Sequence, residues 1–299
     1  MTAPATAATA AAAETGEGTA RRWLEVNRAC LDAELDGLWR LVETVERGGD
    51  VPSRLSDPPA AEAVPGGGAA DRIAARFGLG RFERAVLMLA AGPDLARAAA
   101  PPGGAEAGPP ARPTFGHLLA TLPEAHWSAL APEAPLRRFR LIALGPGDGL
   151  SRRPLHAAEV VLHYLNGLVQ DDPALAPHAR PLAPDPVIAE AYGDVVARAA
   201  EATATAAARH GPPVLRLTGP DRAVAEAVAT AVLGRLGLAA RAFRPAALAG
   251  LTVEEAEDLA AAWRRDARLH DLAAVLAEAP PAGPAAPGLL RFVDAVDGA

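Results

Sequence analysis

The sequence predicts two folded regions of different class, an α+β region followed by an α/β region. Two observations carry the prediction. Helical periodicities beyond residue 66 give way to two short apolar runs around a glycine-rich turn, "GPGDG", Gly145 to Gly149. After a Pro- and Asp-rich stretch at 170–186, apolar runs near Val214, Ala242 and Ala274 alternate with helical segments. Such alternation implies a parallel sheet with crossover helices. The length of 299 residues suits two ordinary domains.

The elements follow in order. Residues 1–19, beginning "MTAPATAATAAAAETGEG", lack large apolar groups and are expected to be a disordered tail. They have neither the positive start nor the leucine-rich centre of a signal peptide. Residues 20–49 read as a long amphipathic helix, with Leu24, Leu31, Leu35, Leu38 and Val42 at helical spacing and Gly48-Gly49 as its stop. It packs on the body or pairs with a partner helix, the first being the simpler expectation. Residues 50–65 are a Pro/Gly/Asp-rich linker.

Residues 66–169 form the first domain. Ile73, Ala74 and Phe77 make one short apolar helix face; Phe82, Ala85, Val86 and Leu89 make a second. "AAAPPGGAEAGPPARP" reads as a flexible loop, followed by short helical pieces in "TFGHLLATL" and "PEAHWSALAPEAPL". Arg140–Leu144 and Ser151–Leu155 are the expected strands of a hairpin, and His156–Leu168 an amphipathic helix. Helices followed by a hairpin suggest a winged-helix-like domain over a generic small α+β unit.

Residues 170–186 are the second linker. Residues 187–299 are the second domain, with an alanine-rich helix at 187–209, a strand and helix over Val214–Leu236, a second strand in "AARAFRPAAL", and a helix with Thr252 as N-cap and Glu255 three residues on. A third strand in "DLAAVLAEA" and a last helix complete it.

Composition narrows the function classes. Half the residues are hydrophobic but only 4% aromatic, so burial relies on small side chains and close helix packing. All 29 basic residues are arginine, the net charge is −7 and the pI is near 5.5, which argues against a general nucleic-acid or anionic-membrane binder. Cys30 is the one cysteine, so neither an internal disulfide nor a cysteine metal cage is expected. No run of about 18 strongly apolar residues predicts a membrane span. The expected location is cytoplasmic.

"PVLRLTGPDRAVAEAVATAVLGRLG", Pro213 to Gly237, reads as strand, glycine turn and helix, the setting of a phosphate-binding loop. A working loop follows G-x-x-x-x-G-K-[ST]: glycines let backbone N–H groups close on phosphate, the lysine neutralises charge and the hydroxyl holds Mg²⁺. Here Gly219 is the first glycine, followed by Pro220, Asp221 and Arg222, and then Val224, Ala225 and Glu226 stand at the second glycine, the lysine and the hydroxyl. The helix N-terminus could attract an anion weakly. Phosphoryl transfer is not expected.

The order of "FGLGRFERAVLMLAAGPDL", "RPTFGHLLATL", "APLRRFRLIALG", "LSRRPLHAAEVVLHYLNGL", "VLRLTGPDRAVAEAVA" and "EAEDLAAAWRRDARLHDLAAVLAE" resembles the N-terminal part of the AAA-type ATPases associated with contractile injection systems. The resemblance covers most of residues 20–298. It implies a winged-helix region followed by a degenerate, incomplete ATPase-like module, with an intact catalytic module elsewhere. It also implies ATP and Mg²⁺ at family level, and as partners the proteins of a contractile injection apparatus or other AAA subunits. In the third strand Ala277 takes the Walker B aspartate position and Glu278 stands alone beside it. The chain is therefore expected to be a short member or a fragment without the catalytic module, acting as an interaction scaffold with no cofactor. The alternatives are a nucleotide-binding ATPase with an aberrant loop and a winged-helix DNA-binding regulator.

Other constellations give less. None of His117, His126, His156, His163, His178, His210 and His270 lies in H-E-x-x-H, and His156 and His163, seven apart on one expected helix, converge too little for a metal site. Ser53, Ser56, Ser128 and Ser151 lack nucleophile-elbow surroundings. Arg137, Arg138, Arg140, Arg152 and Arg153 sit on or near the expected wing, but residues 66–180 carry a balance of only +2, so nucleic acid is not the expected partner.

Overall fold

A computed structural model describes residues 5–58, 67–95, 112–211, 213–276 and 287–297. The chain divides into two compact units, Met1–Gln170 and Asp171–Ala299.

The first unit opens with α1, Ala5–Glu46, which begins inside the stretch expected to be a tail. Alanine, the strongest helix former, supplies much of that extension. Leu31, Leu35, Leu38 and Val42 form the buried stripe of α1. Next come α2, Ala69–Phe77, and α3, Arg81–Leu95. α2 starts where the Asp71 carboxylate accepts from the Gly68 amide (2.9 Å), and it stops at Gly78, whose φ of 64° a side chain would resist. α3 is buried from Ala85 to Gly92 and is the centre of the unit. Gly92 faces α1 closely: a Cβ there would lie 3.1 Å from Trp39 Nε1 and 3.2 Å from Leu35.

Then follow α4, Phe115–Thr121, capped by Thr114; a 3₁₀ turn, Trp127–Leu130; and α5, Pro135–Arg138. Strands β1, Ile142–Leu144, and β2, Leu155–Ala157, pair antiparallel with Ala143 opposite His156, and α6, Glu159–Leu165, ends the unit. The hairpin is present but displaced from its expected bounds. Arg140 takes a left-handed backbone (φ 49°), so β1 starts after it. Ser151 lies in a 3₁₀ turn, Leu150–Arg152, and Pro154, which has no N–H to give, precedes β2. His156 is therefore a strand residue, and the expected helix His156–Leu168 shrinks to α6, ended by Asn166 and by Gly167 at φ 79°.

Buried Asn27 of α1 ties three elements together. Its Nδ2 donates to the Leu165 carbonyl at the end of α6, and its Oδ1 accepts from the Ala69 amide at the start of α2, both at 2.7 Å. One side chain thus satisfies an orphan acceptor and an orphan donor of two helix termini.

The second unit begins with β3, Ala179–Leu182, followed by α7, Pro186–Ala191, and α8, Gly193–His210. Then come α9, Arg222–Arg235; β4, Ala239–Phe243; α10, Pro245–Ala249; α11, Val253–His270; β5, Leu272–Leu276; and α12, Pro287–Asp297. The sheet order is β3-β4-β5, with β4 parallel to β5 and antiparallel to β3.

Two expectations are corrected here. The sheet is mixed rather than parallel, and its third strand comes from the stretch 170–186 that was expected to be a linker. Residues 213–219, the expected strand near Val214, form no strand, and the Val214 side chain is 82% exposed. The place beside β4 is filled by β3, whose Pro181 a sheet tolerates because β3 ends the strand order.

Alternation along β4 divides the unit into two faces. Phe243, with Ala179 and Leu272, packs against Trp263 of α11, Phe292 of α12 and Leu248 of α10. Arg180, one residue after Ala179, reaches the opposite side and α9. There Val228 and Val232 of α9 pack with Val196 and Ala200 of α8. The capping box read from the sequence closes α11: Thr252 Oγ1 accepts from the Glu255 amide while the Glu255 carboxylate accepts from the Thr252 amide.

Candidate functional site

The loop before α9 is the strongest sequence-level site. Gly219 leaves open space where a Cβ would stand, and it has none of the positive φ that a phosphate loop glycine would need. Pro220 bends the chain into Asp221, the N-cap. The Asp221 carboxylate accepts from the Ala223 amide (2.8 Å) and the Val224 amide (3.4 Å). Those amides belong to the helix-terminal donors that an incoming anion would use. The chain's own carboxylate already holds them.

The next residues complete this closure. Val224 packs against the Val196, Val228 and Val232 cluster, and Ala225 is half-buried. The Glu226 side chain, 16% exposed, receives Arg180 of β3 at 2.6 Å and Arg222 Nε at 3.0 Å. Burial alone would raise its pKa. The hydrogen bonds from Arg222 and Arg180 outweigh that and hold the carboxyl below the ordinary carboxylate value. The structure therefore brings together Asp221, Arg222 and Glu226, with Arg180 added, as a cap and a two-arginine clamp. Ala277 and Glu278 lie outside the described residues.

The remaining candidates scatter. His117 stands 3.5 Å from Glu46, His126 3.0 Å from Glu83 and His163 3.4 Å from Glu159. His156 lies apart from His163 in β2, where burial and then nearby Arg112 lower its pKa. Among the described residues no group of three His, Cys, Asp or Glu side chains could hold a metal ion. Cys30 is half-buried, and burial, then the charges of Asp71 and Glu34, push its thiol up, away from reactive thiolate.

Two of the wing arginines are engaged by backbone. Arg153 donates to the Gly145 and Leu144 carbonyls (2.6 and 3.1 Å), and Arg137 donates to Leu130 O. Both serve the hairpin and the adjoining turn rather than an open basic face.

Sequence reading missed the most buried charges. Arg265 donates to Asp266 (3.0 Å) and to Asp172, while the Asp172 amide donates to Asp266 (2.6 Å). Arg241 of β4 grips Asp171 with two bonds, 2.8 and 3.1 Å. Burial pushes the Asp266 carboxyl above its ordinary value, against the pull of Arg265. "RRD" on an otherwise apolar face of α11 was the available signal. Its partners lay more than ninety residues away in "QDD", within the stretch expected to be a linker.

Among the described residues no helix is long and apolar enough to cross a membrane. No family model matches this chain, and no curated protein or solved structure matches it.

Proposed function

We propose that this chain is a non-catalytic protein-interaction scaffold of the AAA-ATPase-like type. On this reading the first unit is winged-helix-like and the second a degenerate nucleotide-fold module. Its partners are proteins of a contractile injection apparatus or further AAA subunits in the cytoplasm. The observation that carries the non-catalytic part is the closure before α9. Asp221 occupies helix-terminal amides, and Glu226, clamped by Arg180 and Arg222, stands where a Mg²⁺-holding hydroxyl would be needed. A phosphate arriving there would have to displace one carboxylate and approach a second. The assembly part rests on the order of sequence segments alone.

The test uses the full chain with Mg²⁺ and ATP. A ligand present at a hundred times its Kd stabilises by about 2.7 kcal/mol, which a thermal melt registers as several degrees. The expected result is no resolvable shift and no turnover, together with co-elution on mixing with purified sheath, tube or baseplate proteins. An ATP-dependent rise in Tm, or turnover lost in Arg222→Ala, would replace the scaffold by a nucleotide-binding enzyme. Co-elution with none of those proteins would remove the assembly role.

A further inference from the structure

We propose that His126 is a proton-operated clamp on the turn that presents Trp127, making this surface of the first unit sensitive to pH near neutrality. The geometry begins with the two ring nitrogens. Nδ1 lies 3.1 Å from the Glu124 carbonyl oxygen, and Nε2 lies 3.0 Å from Glu83 Oε1. A carbonyl oxygen can only accept, and so can an ionised carboxylate. Both contacts are hydrogen bonds only when both nitrogens carry a proton. A neutral imidazole must turn a lone pair toward one of the two oxygens.

The surroundings fix the sign. Glu83 sits in the first turn of α3, where the helix terminus favours negative charge, and its side chain is only 15% exposed. Glu124 faces the same region from the turn itself, and its carboxylate lies 3.8 Å from Arg54 of the preceding segment. Glu83 is thus the carboxylate that touches the ring, and the second proton on His126 balances it. His117 of α4 is directed to Glu46 instead. The backbone hydrogen bond to Glu124 is the largest influence on the ring; with Glu83 it outweighs burial and raises the pKa above the ordinary 6.5.

The clamp holds something strained and something exposed. Glu124 has a left-handed backbone, φ 56°, unusual for a residue with a side chain. The ring also packs on Phe82, centroids 5.1 Å apart. Directly after it, Trp127 stacks edge-on against buried Phe115 and remains 58% exposed. Deprotonation removes one of the two bonds that hold this turn, so Trp127 loses its fixed presentation. A group whose folded pKa is raised stabilises fully below the unfolded pKa and loses that contribution as pH rises through the folded pKa. The turn is therefore ordered in mild acid and loosens as pH rises through the ring's raised pKa.

The experiment follows the His126 ring nitrogens by NMR through the titration, and amide exchange at residues 124–131, corrected for intrinsic rate, in the full chain. The expected result is a cationic ring with both nitrogens protonated in mild acid, and several-fold faster corrected exchange once it deprotonates. Glu83→Gln should lower the ring's pKa and move the exchange transition with it. His126→Phe, which keeps the stacking on Phe82, should exchange fast at every pH. A neutral single-tautomer ring throughout, or wild-type exchange indifferent to its titration, would overturn the proposal. So would a transition that survives in His126→Phe.

Discussion

Each unit hides one arginine among carboxylates, and the two hubs are built differently. In the first unit Arg84 binds Glu34 with two bonds (2.8 and 2.9 Å) and Asp71 with a third at 2.7 Å. Burial alone would lower its pKa, and the bonds to Glu34 and Asp71 more than offset that. In the second unit Arg265 meets Asp266 and Asp172, but Asp266 is fully buried, and burial wins over the arginine there. The first hub is arranged around a satisfied cation near the surface. The second keeps an anion out of water that would be easier to keep neutral. Two similar charge sets thus differ because each member of the first keeps some contact with solvent, whereas Asp266 of the second keeps none.

Removing each arginine is the widest way to separate the hubs. Arg265→Leu leaves two carboxylates facing each other and takes from the fully buried one its guanidinium partner, leaving it the Asp172 amide. It should cost about 3–5 kcal/mol. Arg84→Leu leaves Glu34 and Asp71, of which Asp71 stays partly wet, and should cost about 2–3 kcal/mol, below that range for the same reason. Amide exchange assigned by unit reads both; equal losses would erase the contrast.

The pH response sharpens it further. A carboxyl whose folded pKa is raised binds its proton more tightly in the native state, so stability falls as pH rises through the window above the ordinary 3.8. Asp266→Asn can still accept from the Asp172 amide and should remove that slope. The difference in urea midpoint between variant and wild type should therefore move in the variant's favour as pH climbs from acid toward neutral. A constant difference would mean Asp266 keeps an ordinary pKa.

The smallest effect belongs to the closed loop. Asp221→Ala frees two helix-terminal amides and should cost about 1 kcal/mol. If inorganic phosphate then stabilises the variant but not wild type, the carboxylate was the plug; if phosphate stabilises both equally, the closure is not what excludes anions.

Local signals in the sequence were legible and distant ones were not. Thr252 with Glu255 announced α11, and the glycines of "GPGDG" announced the hairpin, because cap and turn chemistry reside in adjacent residues. β4 and β5 were apolar runs of strand length. β3 was hidden because Pro181 and Arg180 make it read as linker, and only its pairing to β4 makes it a strand. Val214 read as a strand for the converse reason: its residues suit one, but no sheet edge takes them among the described residues. At the candidate site, Val224, Ala225 and Glu226 could be judged residue by residue. The clamp from Arg180, 46 residues upstream, could not.

Asn27 has a consequence in time. Its two partners lie 42 and 138 residues downstream. On a ribosome adding about 5–20 residues per second, roughly 7 to 28 seconds separate the emergence of Asn27 from that of Leu165. Ala69 and the packing face of α3 emerge well inside that interval, so of the contacts named for α1 it is the bond to Leu165 that has to wait for the last helix. The unit is thus closed by its end: the stripe of α1 can meet α3 early, as Leu35 and Trp39 do at Gly92, but Asn27 keeps an unfilled donor until Leu165 is made.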